Sequence, residues 1–423
     1  MIYLDYSATT PANKEVVDTF SKVSLNYIGN PNSLHKLGVE ARKLMDASTN
    51  QIAELLHVKP SEVIFTSGAS EANNTAIMGV VEKYPNRGRH IITTKLEHSS
   101  VLECMNYLEK IGYIIDYVPI LENGLIDLDA FTKMIRKDTV LVSIHHVNSE
   151  VGIKQNVEEI GKILKNFPTV IFHVDGTQAI GKIPVCLDNI DLYSFSAHKF
   201  FGLKGVGCLI KKNNIEIEPI IHGGKSQTNY RSGTPALALM VSTSKALRLA
   251  LTNFEDKYNH VLRLSNLLKE EIGKIDGVLL NSNGNSIPHI VNISVLGVKP
   301  ETMLHALEEY DIYISTKTAC SKDNSDSLTL TTMGKDSSIS GHSIRVSISY
   351  LTTEEEIHTF VEKLKSCIEK LKFEDVDYWN ELTNIFDWAN THVFSSFFIC
   401  CASQAALYYY HGVEKYELEE KLT

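Results

Sequence analysis

Between Glu15 and about Leu249 the chain alternates apolar runs of strand length with stretches of helical spacing. Val39–Leu56 carries the helical period, and Val63–Thr66 reads as a short strand. Gly68 and a helix from about Ser70 follow it. Further strand candidates are His90–Thr93, Tyr113–Pro119, Thr139–His145, Thr169–Val174, Leu192–Phe195 and Gly207–Ile210. Strands separated by helical segments predict parallel βαβ units with helices on both faces of one sheet. Such sheets bind ligands beyond the carboxyl ends of their strands. From about Asn253 the pattern changes. An amphipathic helix over His260–Ile275 leads to strands near Ile290–Val295 and Ser343–Ser349, then to a helix over Thr353–Leu371. Glu354, Glu355 and Glu356 stand in the first turn of that last helix, where the dipole favours acids. The expected fold class is α/β: a mainly parallel central sheet with helices on both faces, plus a smaller α+β domain.

Composition narrows the function. At 423 residues the chain is long enough for two or three domains, at roughly 100–200 residues each. A net charge of −10 argues against a nucleic-acid partner held by general electrostatics. The seven cysteines, at 104, 186, 208, 320, 367, 400 and 401, show no C-x-x-C pair. They indicate neither a zinc site nor a disulfide framework, and no metal site is expected. Reduced thiols and the absence of a basic, then apolar, leader in MIYLDYSATTP point to the cytoplasm. Val393–Tyr410 is free of charge for 18 residues, the edge of the membrane-spanning range. Three Ser, a Gln and three consecutive Tyr dilute it, so no membrane span is expected. The last residues differ from the rest: 372–423 hold nine acids, three lysines and both tryptophans.

Four segments carry candidate chemistry. Ser194-Phe195-Ser196-Ala197-His198-Lys199 puts a lysine just past an apolar strand, before the glycine-rich Lys204–Gly207. Such a lysine is either a surface residue or a Schiff-base former whose pKa burial lowers. Asp175, in His173-Val174-Asp175-Gly176-Thr177-Gln178, either caps a helix or pairs with a protonated ring nitrogen at the sheet edge. Phe65–Glu71 runs from strand through small residues into a helix, the form of an ordinary cap and equally of a phosphate cradle. His98 follows a short strand, as a structural residue or as one that stacks on a flat cofactor and moves protons.

Together, in order and spacing, these segments resemble the class V aminotransferase group of pyridoxal-phosphate enzymes, and within it the cysteine desulfurases of iron–sulfur assembly. The matching stretches are Tyr3–Thr10, Gly29–Ser33 with His35, Thr66–Asn73, Glu97-His98, Val147–Gly152, Asp175 with Gln178, Ser196–Lys199, Arg231–Thr234 and Ser343–Arg345. They span residues 1 to about 371. The resemblance implies a fold-type I transferase using pyridoxal 5'-phosphate. It implies that Lys199 holds the cofactor covalently and removes the substrate α-proton. Asp175 would pair with the pyridine nitrogen, His98 would stack on the ring as acid/base, and Gln178 would reach the phenolic oxygen. Ala69, Ser70, Ser196 and His198 would hold the phosphate, with Thr234 of a neighbouring subunit, hence a homodimer. Arg345 would clamp the substrate carboxylate in a bidentate pair.

Cys320 chooses the reaction. Its run, Ser315–Asp326, is polar without apolar periodicity and predicts a mobile loop. Lys317 and Lys322 flank the thiol and favour thiolate, whereas Cys208 and Cys367 stand in apolar settings. The resemblance implies that Cys320 takes the sulfur of L-cysteine as a persulfide, releases L-alanine and passes sulfur to an acceptor protein. Two details depart from the family. Ser149 stands where an asparagine usually contacts the phenolic oxygen, and Lys225 replaces a third glycine after His222. The segment from Tyr378 to Tyr408 resembles an internal piece of homoserine O-acyltransferases, with Cys400 at their nucleophile position. Cys401-Ala402 replaces the expected Trp-Gly, so the piece reads as truncated and inactive. The expected division is 15–252 for a large cofactor-binding domain, 1–14 with 253–371 for the small domain carrying the cysteine loop, and 372–423 for the acyltransferase-like piece. Alternatives are a selenocysteine lyase, another class V enzyme, a catalytically silent scaffold, or acyl transfer by the tail.

Overall fold

The computed structural model describes residues 1–316, 326–371, 383–385 and 387–388. The chain opens with strand β1 (Ile2–Tyr3). Seven strands then build the central sheet: β2 (Val63–Thr66), β3 (His90–Thr93), β4 (Ile114–Tyr117), β5 (Thr139–His145), β6 (Ile171–Asp175), β7 (Leu192–Ser196) and β8 (Gly207–Lys211). Their order is β2-β8-β7-β6-β5-β3-β4. The pairs among β4, β3, β5, β6 and β7 are parallel, whereas β8 runs antiparallel to both β7 and β2. The reversal has a local cause. The connection from β7 to β8 is a short turn through Ala197–Lys199, with no crossover helix, and a parallel return needs one.

Every residue of β2, β3, β5, β6, β7 and β8 is buried, as expected of strands covered on both faces. Successive side chains take opposite faces. Phe65, Val142, Phe172, Val174 and Phe195 pack beneath helices Lys14–Asn26, Lys36–Leu55 and Leu237–Leu251. Ile64, Ile91, Leu141, Ile171 and Leu209 pack beneath helices Ala69–Lys83 and Ser99–Lys110.

A second core gathers around the antiparallel sheet formed by β9 (Val278–Leu280) and β10 (Ile290–Val295) with a later strand. Short β11 (Ile312–Tyr313) pairs parallel with β1, and β12 (Ser343–Ser347) completes the sheet beside β10. Helices Phe254–Ile272, Pro300–Glu308 and Glu354–Lys370 cover this sheet, and Leu4 reaches the same core. Thr353 and Glu356 form a capping box at the start of the last helix.

Two helices begin earlier than their apolar period suggests. Lys36 is capped by His35, whose ring accepts from the Gly38 N–H, and Phe254 follows Asn253 at φ +52° without a side-chain cap. His35 is not a preferred capping residue, and Asn253, which is one, stands at the cap without using its side chain. Among the described residues no helix is long and apolar enough to cross a membrane. Cys320, Lys317, Lys322 and Val393–Tyr410 lie outside the described residues, as does nearly all of 372–423.

Candidate active site

A cavity of about 610 Å³ opens at the carboxyl ends of the parallel strands. His98, Ser149, Asp175, Gln178, Ser196, His198, Lys199 and Arg345 all line it, as do Ala69 and Ser70. The strand geometry brings them together. Asp175 is the last residue of β6, Ser196 the last of β7, and Lys199 ends the turn that follows β7.

The Asp175 carboxylate is held from two sides. The Thr177 N–H donates to Oδ1 at 3.0 Å and Asn73 Nδ2 donates to Oδ2 at 2.8 Å. Asn73, fully buried on helix Ala69–Lys83, also donates to Ser100 Oγ at 2.9 Å. Ser100 Oγ in turn lies 2.9 Å from His98 Nδ1, which also accepts the Ser100 backbone N–H at 3.1 Å. A nitrogen that accepts an N–H bond carries no proton, so neutral His98 holds its proton on Nε2. Burial lowers the His98 pKa; Asp175 opposes the shift and Lys199 adds to it.

Lys199 Nζ donates to the carbonyls of Ser7 at 2.7 Å and Ala8 at 2.8 Å. The N-terminal segment therefore crosses the site as a strap. Gln178 Nε2 donates to the same Ser7 carbonyl at 2.9 Å, and Thr9 Oγ1 lies 3.1 Å from His198 Nδ1. The Thr10 N–H and hydroxyl both donate to the His198 carbonyl at 2.9 Å. Burial, then the charges of Lys199, Lys204 and Lys182, lower the His198 pKa to about 4, so this ring is neutral near pH 7. Buried Lys182 donates from Nζ to Gln178 Oε1, fixing the amide with its N–H face toward the strap. Burial, then Lys199 and Arg345, hold the Lys182 pKa well below its ordinary value.

The start of helix Ala69–Lys83 forms one wall. Its cap, Gly68, sits at φ +156° and supplies no side-chain cap, so the first N–H groups are left for a ligand. Glu71 is turned aside. It accepts the Ser67 N–H at 2.8 Å and pairs with Arg231 Nε at 2.9 Å. Burial raises its pKa, but these bonds outweigh burial and the net shift is downward. Thr234, expected to act from a neighbouring subunit, is exposed and does not line this chain's cavity.

Arg345 projects from β12, where it pairs with Asn292 of β10. Its side chain is 3% exposed; Nη1 donates to the Ser149 carbonyl at 2.9 Å and Nη2 to Asp5 Oδ1 at 2.8 Å. Ser149 thus meets Arg345 through its backbone. Ser315, just before the undescribed stretch that holds Cys320, exchanges backbone hydrogen bonds with Arg345. On the far side of that stretch, Ser327 donates to the buried carboxylate of Glu150.

The family model described as Aminotransferase class-V matches residues 2–360. The chain belongs to the class-V aminotransferase family. A second model, Homoserine O-succinyltransferase, matches residues 366–423 of this class-V chain. The cysteine desulfurase IscS of Dictyoglomus turgidum is 38% identical over 376 residues, covering 88% of this chain and 95% of that protein. The cysteine desulfurase IscS of Buchnera aphidicola subsp. Acyrthosiphon pisum is 41% identical over 384 residues, 88% of this chain and 93% of its own. A solved class-V relative described as a NifS-like protein superposes with a TM-score of 0.83 at 35% identity, covering 88% of this chain and 100% of its own. The central sheet and second, smaller α+β core are thus those of the family fold.

Several residues of the site have roles that the sequence does not show. Ser7 and Ala8 lie inside a matching stretch but act through carbonyl oxygens, which any residue type supplies. Asn73 lies inside a matching stretch, but its bridge from Asp175 to Ser100 requires three elements to meet. Lys182 stands four residues after Gln178 in an apolar stretch, the single cue to its burial.

Proposed function

We propose that this class-V chain is a pyridoxal-phosphate-dependent cysteine desulfurase. The observation that carries the reading is the convergence of Lys199, Asp175, His98 and Arg345 on one cavity at the carboxyl edge of the sheet. Its size suits a small cofactor with substrate. The residues fit this cofactor on three counts. The helix start at Gly68–Ser70 has no side-chain cap and suits a phosphate. Thr177 Oγ1, also lining the cavity, is buried without a partner among the described residues. Asp175, anchored by Asn73 and Thr177, suits a protonated ring nitrogen. Pyridoxal 5'-phosphate is the family's cofactor, and when bound it supplies an electron sink at the substrate α-carbon.

The chain's own residues do the rest. Lys199 Nζ would hold the cofactor covalently and would afterwards take the α-proton. His98, with its proton on Nε2, would lie against the ring. Gln178, oriented by Lys182, would offer an N–H to the phenolic oxygen. Ala69, Ser70, Ser196 and His198 would hold the phosphate. Arg345 grips the substrate carboxylate. The Cys320 thiolate attacks the substrate sulfur; the carbon–sulfur bond breaks with its electron pair left on the β-carbon, and a proton added there, with one returned to the α-carbon, yields L-alanine. The Cys320 persulfide then serves an acceptor protein in iron–sulfur or other thio-cofactor synthesis. A homodimer, with Thr234 reaching the partner's phosphate, is supported by exposed apolar residues near the N-terminus, among them Leu25, Ile28 and Leu34, the last 98% exposed. A cytoplasmic setting agrees with the reduced-thiol composition. The two cores support the first two parts of the division into 15–252, 1–14 with 253–371, and 372–423, and the last piece is taken as catalytically inert.

Anaerobic turnover of L-cysteine, with alanine and sulfide followed together, tests the reading. Equal yields of both, lost in Cys320→Ser while the visible cofactor band stays, are expected. A full cofactor band without alanine would overturn it in favour of another amino substrate or a silent scaffold. Turnover that survives Cys320→Ser would point to a lyase that needs no cysteine nucleophile.

A further inference from the structure

Arg345 does not wait in the cavity with its charge unanswered. Its guanidinium already holds a carboxylate, Asp5, through Nη2 at 2.8 Å. A buried arginine needs such a partner, because an uncompensated buried charge is costly. Asp5 is pinned independently of that ion pair. Its backbone bridges Ser347, two residues beyond Arg345 on β12, and its carbonyl accepts the Tyr3 hydroxyl at 3.1 Å. Two residues on, the Ser7 N–H donates to Ser347 Oγ at 2.9 Å. The Asp5 carboxylate is therefore a fixed feature of the site, 20% exposed beside the nearly buried arginine.

The geometry of the grip matters. A carboxylate takes a guanidinium best through two parallel bonds to adjacent N–H groups. Nη1 is engaged by the Ser149 carbonyl at 2.9 Å, Nη2 by Asp5, and Nε is buried without a partner among the described residues. Either two-point edge that an incoming carboxylate uses includes Nη2, the nitrogen that Asp5 holds. We propose that Asp5 is a positioning and specificity-determining residue. It holds Arg345 in place and sets the affinity for carboxylate-bearing substrates by sharing Nη2 with them. This role rests on the reading of Arg345 as the substrate clamp.

Asp5→Asn and Asp5→Ala separate charge from position. The asparagine keeps an oxygen that accepts from Nη2 but carries no charge; the alanine removes both. With Asp5→Asn, the full Arg345 charge faces the substrate, and KM for L-cysteine is expected to fall several-fold with kcat within about twofold. With Asp5→Ala, Arg345 loses its anchor and KM is expected to rise roughly tenfold. Cysteamine has the same thiol and amine but no carboxylate. Its binding, followed by the change in the cofactor's absorbance, is expected to be the same in wild type and both variants. Identical KM values in the two variants would overturn the proposal, and so would cysteamine binding that shifts in step with L-cysteine. Arg345→Met provides the separate check. If it leaves KM for L-cysteine unchanged, the clamp itself is wrong, whatever the Asp5 variants do.

Discussion

At the scale of single residues, the site depends on polar side chains that never touch substrate. Asn73 is the clearest. One amide donates to Asp175 Oδ2 and to Ser100 Oγ, so it fixes the carboxylate proposed to face the ring nitrogen and the hydroxyl that meets His98. Asn73→Ala removes a hydrogen bond to a buried carboxylate, worth about 1.5–3 kcal/mol. The expected outcome is cofactor affinity at least about tenfold weaker, read by titrating apo-protein with pyridoxal 5'-phosphate, with the thermal midpoint lowered by only a few degrees. Unchanged affinity would show that Thr177 alone suffices to hold Asp175. Asp5 and Lys182 act in the same indirect way, each through one cavity-lining partner, Arg345 and Gln178.

At the scale of elements, the sheet was legible in sequence and the strap was not. Apolar runs marked β2, β3 and β5 to the residue, because strands covered on both faces read as near-continuous Val, Ile and Leu runs, not as an alternation. The runs stop short at β6 and β7, whose final residues, Asp175 and Ser196, are polar and belong to the site. Strand direction is not written in an apolar run, so the reversal of β8 came only with the structure. Lys199, Asp175 and His98 could be singled out because each stands at or just past a strand end. The strap over Asp5–Thr10 lies in a matching stretch, but its contacts could not be read there, since the Ser7 carbonyl and the Asp5 carboxylate meet residues some 170–340 positions away. The meeting of β7, β8 and the helix start turns on Gly207. A Cβ there would lie 2.5 Å from the Phe195 carbonyl and 2.8 Å from Gly68 Cα, both backbone. Gly207→Ala must push β8 off β7 or displace Gly68. It is expected to cost about 1–3 kcal/mol and to weaken phosphate binding at the helix start. Thermal unfolding and cofactor titration read the two effects. An unchanged midpoint would mean that the strands yield more easily than their close pairing implies.

At the scale of the whole molecule, burial of histidines sets the response to acid. The fold encloses His146, His173 and His289, and burial lowers their pKa values to about 3, about 4 and about 3. Lys154 adds to the shift at His146, Asp175 opposes it at His173, and Lys182 adds to it at His289. These rings bind the interior as neutral groups: His146 Nδ1 lies 3.0 Å from the Tyr193 hydroxyl, and His173 bridges Ser143 and Ser194 at 2.8 and 3.0 Å. In the unfolded chain each ring titrates near 6.5. Below that pH the unfolded state binds protons that the folded state excludes, so stability must fall as pH falls. The loss begins near pH 6.5 and ends only when the folded rings protonate, at about 4 for His173 and about 3 for His146 and His289. Within that window each ring contributes up to about 1.4 kcal/mol per pH unit, so three together are steep. Carboxylates paired in the folded state, such as Glu71, add to the same trend only at the lower end of the window. The expected result is a denaturant midpoint that falls more steeply between pH 6.5 and 4.5 than between pH 8 and 7, where buried Lys182, its pKa also held low, is the main contributor. His289→Gln should flatten part of that slope, because an amide carries no proton in either state. A midpoint as high at pH 5 as at pH 7 would mean that the buried rings take up protons in place, and that the interior beneath the site is wetter than its packing indicates.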